Sequence, residues 1–125
     1  MSEQIILTTG MYDLIKEHLR RKGTTIEEEE ILLNQLRHAK QVRRRELPED
    51  VVTVNCAITV KDVETDEEEK FLFVQTSKEK VKKGKYSILS PMALATVGNK
   101  VGDVITWPFK DGDKKIEILS VEHYN

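Results

Sequence analysis

At 125 residues and 14.4 kDa, the chain can enclose one modest hydrophobic core plus an accessory element, but not two full domains. Twenty basic against twenty-two acidic residues leave a net charge of -2, which supplies no global attraction for a polyanion, so any nucleic-acid role is expected to be indirect. A hydrophobic fraction of 38% beside a charged fraction of 34% excludes disorder and implies a filled core under a densely charged surface. The single cysteine, Cys56, cannot close an internal disulfide, and its apolar neighbours Val54, Ala57 and Ile58 mark it as a small core residue. No apolar run of membrane-spanning length and no basic leader occurs, so the expected location is the cytoplasm, without a membrane partner.

From Gly10 to Arg21, Met11, Leu14, Ile15 and Leu19 form the stripe of an amphipathic helix, with Thr8 or Thr9 as its cap. Lys22-Gly23-Thr24-Thr25 interrupts the pattern, the glycine suiting a left-handed helix end and the threonines the next N-cap. A second helix is expected from about Ile26 to Arg44, its stripe made of Ile26, Leu32, Leu33, Leu36, Ala39 and Val42. Thr24 to Glu27 and Thr25 to Glu28 both have capping-box spacing. Glu27 to Glu30 at one end and Arg43 to Arg45 at the other complement the helix dipole, and Leu47-Pro48 is expected to stop the helix.

A β-rich regime follows. Val51 to Val63 alternates with Val52, Val54, Cys56, Ile58 and Val60 on one side, and Lys70 to Thr76 repeats the pattern around Phe71 and Phe73, with a turn at Glu64 to Glu67. Lys78 to Lys85 reads as a polar loop and Tyr86 to Leu89 as a short strand. Ser90-Pro91 opens a helix to about Val97 that ends at Gly98, with serine at the cap and proline at the first helical position. Strands through Val104 to Trp107 and Lys115 to Val121, joined by a turn at Asp111-Gly112-Asp113, complete the chain.

Little in the sequence carries chemistry. His18, His38 and His123 fall on different elements without metal-ligand spacing, and neither a glycine-rich phosphate loop nor a nucleophile elbow occurs. No catalytic residue, metal or cofactor is therefore expected. Phe71 and Phe73 share a strand face and read as core, as does Trp107, whose Pro108 neighbour belongs at a strand end or sheet edge.

The run Ser90-Pro91-Met92-Ala93-Leu94-Ala95-Thr96-Val97-Gly98-Asn99-Lys100-Val101-Gly102-Asp103 resembles the signature of the C-terminal domain of the GreA/GreB transcription elongation factors, and Lys115 to Tyr124 resembles that domain's last strand. Leu47-Pro-Glu-Asp-Val-Val-Thr-Val-Asn55 is most similar to the short Rnk-like members, named as regulators of nucleoside diphosphate kinase. The resemblance implies an α+β protein: a short antiparallel helical hairpin over residues 1–46, a coiled-coil arm, followed over 47–125 by an FKBP-like antiparallel sheet domain with one short helix. It implies a non-enzymatic regulator that binds bacterial core RNA polymerase at the secondary-channel rim, touching nucleic acid only through the polymerase, with Ser90, Pro91 and Met92 in the docking surface.

A helix of about 18 residues spans about 27 Å, shorter than the Gre arm, and the family's acidic tip motif is absent. Glu27, Glu28, Glu29 and Glu30 are the candidates for a residual tip, although helix capping suffices to explain them. Two alternatives remain open on the residues alone: a peptidyl-prolyl isomerase using Trp107 as a pocket floor, or a regulator of another protein such as a nucleoside diphosphate kinase. The sequence fixes no oligomeric state.

Overall fold

The computed structural model describes residues 4–124. The chain divides into two compact units, with the boundary between Pro48 and Glu49.

The first unit is a helical pair whose ends are tied together by a small sheet. Strand β1 (Ile6–Thr8) leads into α1 (Thr9–Arg20), and α2 (Ile26–His38) leads into β2 (Lys40–Val42). Strands β1 and β2 pair in parallel, Ile6 opposite Lys40 and Thr8 opposite Val42. Thr8 caps α1, its hydroxyl oxygen accepting from the Met11 N–H at 3.2 Å. Met11, Ile15 and Leu19, four residues apart, are buried along one face, whereas Leu14, expected in the stripe, is exposed. Helix α2 starts as the spacing predicts: the Thr25 hydroxyl accepts from the Glu28 N–H at 3.2 Å and the Glu28 carboxylate accepts from the Thr25 N–H at 3.0 Å.

Four expectations for this unit need correction. Helix α2 stops at His38, six residues before Arg44, because Ala39 turns extended (ψ 139) and the next three residues pair with β1 instead of continuing the helix. Arg43 to Arg45 therefore lie beyond the helix end: Arg43 is extended and residues Arg44–Glu46 form a 3-10 turn, so they do not serve the α2 dipole and Leu47-Pro48 does not terminate it. Only Leu32 and Leu36 of the predicted α2 stripe are buried, in line with the capping Glu28, while Leu33 is exposed and Ile26 is 74% exposed. Lastly, the left-handed position after α1 is taken by Lys22 (φ 58), not by Gly23. Gly23 answers a different demand: a Cβ there would lie 2.2 Å from the His18 ring, so a side chain would have to displace the imidazole.

The second unit is built on a five-stranded sheet of order β5-β4-β3-β7-β6, made of β3 (Cys56–Asp62), β4 (Glu68–Val74), β5 (Lys85–Ser87), β6 (Val104–Phe109) and β7 (Gly112–His123). Its pairs are antiparallel except β4–β5, which is parallel. The alternation predicted from Val51 starts later as a strand: Asn55 is left-handed (φ 59), and the preceding Val51, Val52 and Thr53 are buried in an extended segment attached by backbone bonds to residues 98–100. From Cys56 onward Cys56, Ile58 and Val60 face the core opposite Phe73, Phe71 and Glu69 of β4. The β3–β7 register shifts between Thr59 and Val60. That bulge places Ile118 opposite Val60 but Val121 opposite Ile58, so the core-facing set of β7 changes from even to odd numbers part way along the strand.

Helix α3 (Pro91–Thr96) packs on β6 and buries Ala93, Leu94, Ala95 and Thr96. Phe73 and Trp107 are wholly buried, and Phe71 stacks on Phe73 at 6.0 Å while meeting Tyr86 edge-on at 5.0 Å. Truncating Phe73 to alanine removes the wholly buried ring of this cluster. The expected loss is about 3–5 kcal/mol of stability, read as a lowered urea midpoint for the Phe73→Ala variant; a loss below about 1 kcal/mol would mean that the ring does not organise the core.

Candidate partner-binding surface

The segment Ser90 to Asp103 is held from several sides. Ser90 is extended (φ -68, ψ 159) and Pro91 occupies the first helical position, where its missing N–H costs nothing and its fixed φ suits the turn. At the other end Gly98 is left-handed (φ 83), and its N–H donates to the Val52 carbonyl at 3.0 Å while the Val52 N–H donates to the Asn99 carbonyl at 2.9 Å. The Asn99 side-chain amide donates to the Thr96 and Val97 carbonyls at 3.3 and 3.4 Å, and the Thr96 hydroxyl donates to the Met92 carbonyl at 2.8 Å. Asp103 closes the following turn, its carboxylate accepting from the Lys100 N–H at 3.0 Å, while its carbonyl accepts from the Ile118 N–H of β7 at 3.0 Å and the Gly102 N–H donates to the Ile118 carbonyl at 2.9 Å. The Lys100 ammonium sits 3.4 Å from the Asp103 carboxylate, a surface pair worth at most about 1 kcal/mol.

Most of the signature thus builds architecture, leaving a small remainder exposed. Pro91 is exposed and Met92 half-buried at the start of α3, and Ser90 is half-buried. Sequence reasoning passed over Val101 and Val104, which flank the Gly102-Asp103 turn and are both exposed, Val104 at 56%. A valine on each side of a Gly-Asp turn was the available signal.

Ser90 does not behave as a working N-cap. Its position is that of a cap, but the hydroxyl makes no capping bond, and Ser90 Oγ is a buried atom without a hydrogen-bond partner among the described residues. The sequence expectation of a serine cap is therefore corrected: the proline and the backbone fix this helix start. Trp107 is likewise 0% exposed, with its indole Nε1 unpartnered, so it packs as core and does not line an open groove.

The four glutamates of the hairpin are placed at its loop end, in the first turns of α2. Glu28 is buried and committed to the capping box, while Glu27 and Glu30 are exposed and Glu29 is half-buried. On the other side of the loop Arg20 and Arg21 both bind the Glu17 carboxylate, at 2.7 and 2.8 Å, and those hydrogen bonds hold its pKa below the usual carboxylate range. The histidines do not converge: His38 Nδ1 bonds the Asn34 carbonyl at 3.0 Å and His123 Nε2 the Val51 carbonyl at 2.7 Å. Cys56 is buried, and loss of solvation lifts its thiol above the ordinary value against weaker opposing backbone bonds at Thr53 and Glu122. No helix among the described residues is long and apolar enough to cross a membrane.

Comparison with known proteins agrees with this arrangement. The family model described as "Transcription elongation factor, GreA/GreB, C-term" matches residues 47–123. The transcription elongation factor GreA of Clostridium botulinum (strain Langeland) is 39% identical over 90 residues, covering 72% of this chain and 56% of its own. The chain thus spans about half the length of the curated relatives it matches. A solved GreA/GreB elongation factor from Nitrosomonas europaea superposes with a TM-score of 0.70 at 24% identity over 98% of this chain and 100% of its own. Gfh1 of Thermus aquaticus does so with a TM-score of 0.54 at 22% identity, covering 91% and 71% respectively. The fold defines an α+β protein of two N-terminal helices, an antiparallel-rich sheet and one short helix. The chain belongs to the GreA/GreB transcription elongation factor family.

Two expectations follow from the geometry. Ser90→Ala is expected to leave the urea midpoint unchanged or raise it, whereas loss of a bonded serine cap costs about 1 kcal/mol; a fall of that size would show that the hydroxyl is satisfied in solution. Cys56 is expected to resist a thiol reagent such as dithionitrobenzoate in the native protein and to react fully in denaturant. Rapid native labelling would contradict its burial.

Proposed function

We propose that this protein is a non-enzymatic regulator that binds bacterial core RNA polymerase at the rim of the secondary channel, in the cytoplasm, and lacks full-strength transcript-cleavage activity. The observation that carries the reading is the pairing of a Gre-type C-terminal domain with a short arm. Helices of 12 and 13 residues reach only about 18 and 20 Å, and strands β1 and β2 bound them on both sides, so the arm is short within the chain itself. Pro91 and Met92 supply the exposed start of α3 as the docking contact, with Ser90 shaping the turn beneath them. Glu27 and Glu30 offer an acidic tip of reduced size, since Glu28 is occupied by the helix cap.

Such a factor would occupy the channel entrance and compete there with longer Gre proteins. The isomerase alternative is disfavoured by Trp107, whose complete burial leaves no indole face for a peptide. The decisive experiment is competition between this protein and a full-length GreA for core polymerase, with Pro91→Ala/Met92→Asp alongside wild type. Wild type is expected to displace GreA at micromolar concentration and the double variant to fail, with no transcript cleavage by either. Absence of binding, or cleavage at the rate of a long Gre factor, would overturn the reading.

A further inference from the structure

From the end of β4 to the first residue of β5 the chain carries Lys78, Lys80, Lys82, Lys83 and Lys85, five lysines in eight residues. Two 3-10 turns, Thr76–Lys78 and Val81–Lys83, and the left-handed Gly84 (φ 76) fold this segment onto itself. It is closed by reciprocal backbone bonds: the Lys80 N–H donates to the Lys85 carbonyl at 2.9 Å and the Lys85 N–H to the Lys80 carbonyl at 3.1 Å. The acid within the run, Glu79, is engaged by the backbone, its carboxylate accepting from the Ser87 N–H at 2.9 Å. Among the described residues none of the five ammonium groups pairs with a carboxylate. All but Lys85 belong to exposed residues, and Val81, 54% exposed, stands among them.

The overall charge of -2 hides this local concentration. Backbone pairing holds like charges close together and leaves them unneutralised, a state that attracts anions. The composition narrows the class. The loop has no arginine and so lacks the planar forks that select carboxylates bidentately, and it has no aromatic ring on which a base could stack. Flexible ammonium point charges suit a row of phosphate monoanions read without regard to sequence. We propose that the Lys78–Lys85 loop is a sequence-independent docking site for the phosphate backbone of a nucleic acid. This contact is separate from polymerase docking, which runs through the start of α3, and it can be tested without polymerase.

The test is fluorescence anisotropy of short labelled oligo(U) and oligo(dT) with the full chain over a range of salt. Both are expected to bind with comparable affinity, in the non-specific range of about 10⁻⁴ to 10⁻⁶ M, weakening steeply as salt rises. Lys82→Glu/Lys83→Glu is expected to weaken binding at least tenfold and to flatten the log–log salt slope by about 1.4, two contacts at about 0.7 each. The matched reversal Lys110→Glu/Lys114→Glu, on exposed lysines outside the loop, is expected to leave the slope unchanged. Thermal melts verify folding, and Lys82→Gln/Lys83→Gln carries the comparison if the reversal variant is unstable. Failure of both oligonucleotides to bind, equal effects of the two reversals, or a strong preference for RNA over DNA overturns the proposal. So does displacement by polyglutamate as effective as by unlabelled oligonucleotide, which would assign the loop to an acidic protein surface.

Discussion

Strand β3 is hydrogen-bonded along both edges, to β4 on one side and β7 on the other, and the second unit depends on that double pairing. A strand so placed has no freedom of register, because a slip of one residue would turn Cys56, Ile58 and Val60 out of the core on both seams together. Its register puts Phe71 and Phe73 where they can stack, and the bulge against β7 keeps Ile116 and Ile118 in the same layer as Val121. Once that layer is fixed, Val52 can bond the backbone of Gly98 and Asn99 and the signature helix has a floor.

How legible this was depended on the period of each element. The alternation from Cys56 and around Phe71 and Phe73 is a clean two-residue repeat, and the Thr25–Glu28 box is a local interaction that needs no tertiary partner, so both could be read directly. Strands β1 and β2 are three residues each, too short to show a period, and they form because Lys40 to Val42 finds a partner some thirty positions earlier. That non-local pairing overrides good helix formers after His38. The bulge in β7 was invisible for the same reason, since it is a property of two strands and not of one.

The candidate surface was legible in part. Resemblance directed attention to Ser90, Pro91 and Met92, and the coordinates separate their roles: Pro91 starts the helix and stays exposed, Met92 is half covered, and the Ser90 hydroxyl is buried without the bond its position suggests. Asn99, Gly102 and Asp103 belong to the same signature yet serve mainly to bind the turn to neighbouring backbone. A sequence pattern of this kind mixes residues kept for shape with residues facing outward, and only burial tells them apart.

The parallel pairing of Ile6–Thr8 with Lys40–Val42 also has a bearing on how the arm could change in length. With both roots fastened, a residue inserted into one helix alone would put its stripe out of phase with the other or bulge the turn at Lys22. Growth would have to come as matched additions to both helices in whole repeats, each seven-residue pair adding about 10.5 Å of reach. The fastened roots thus act as a ruler, and variants that lengthen the arm without redesigning its base should be found at only a few discrete sizes.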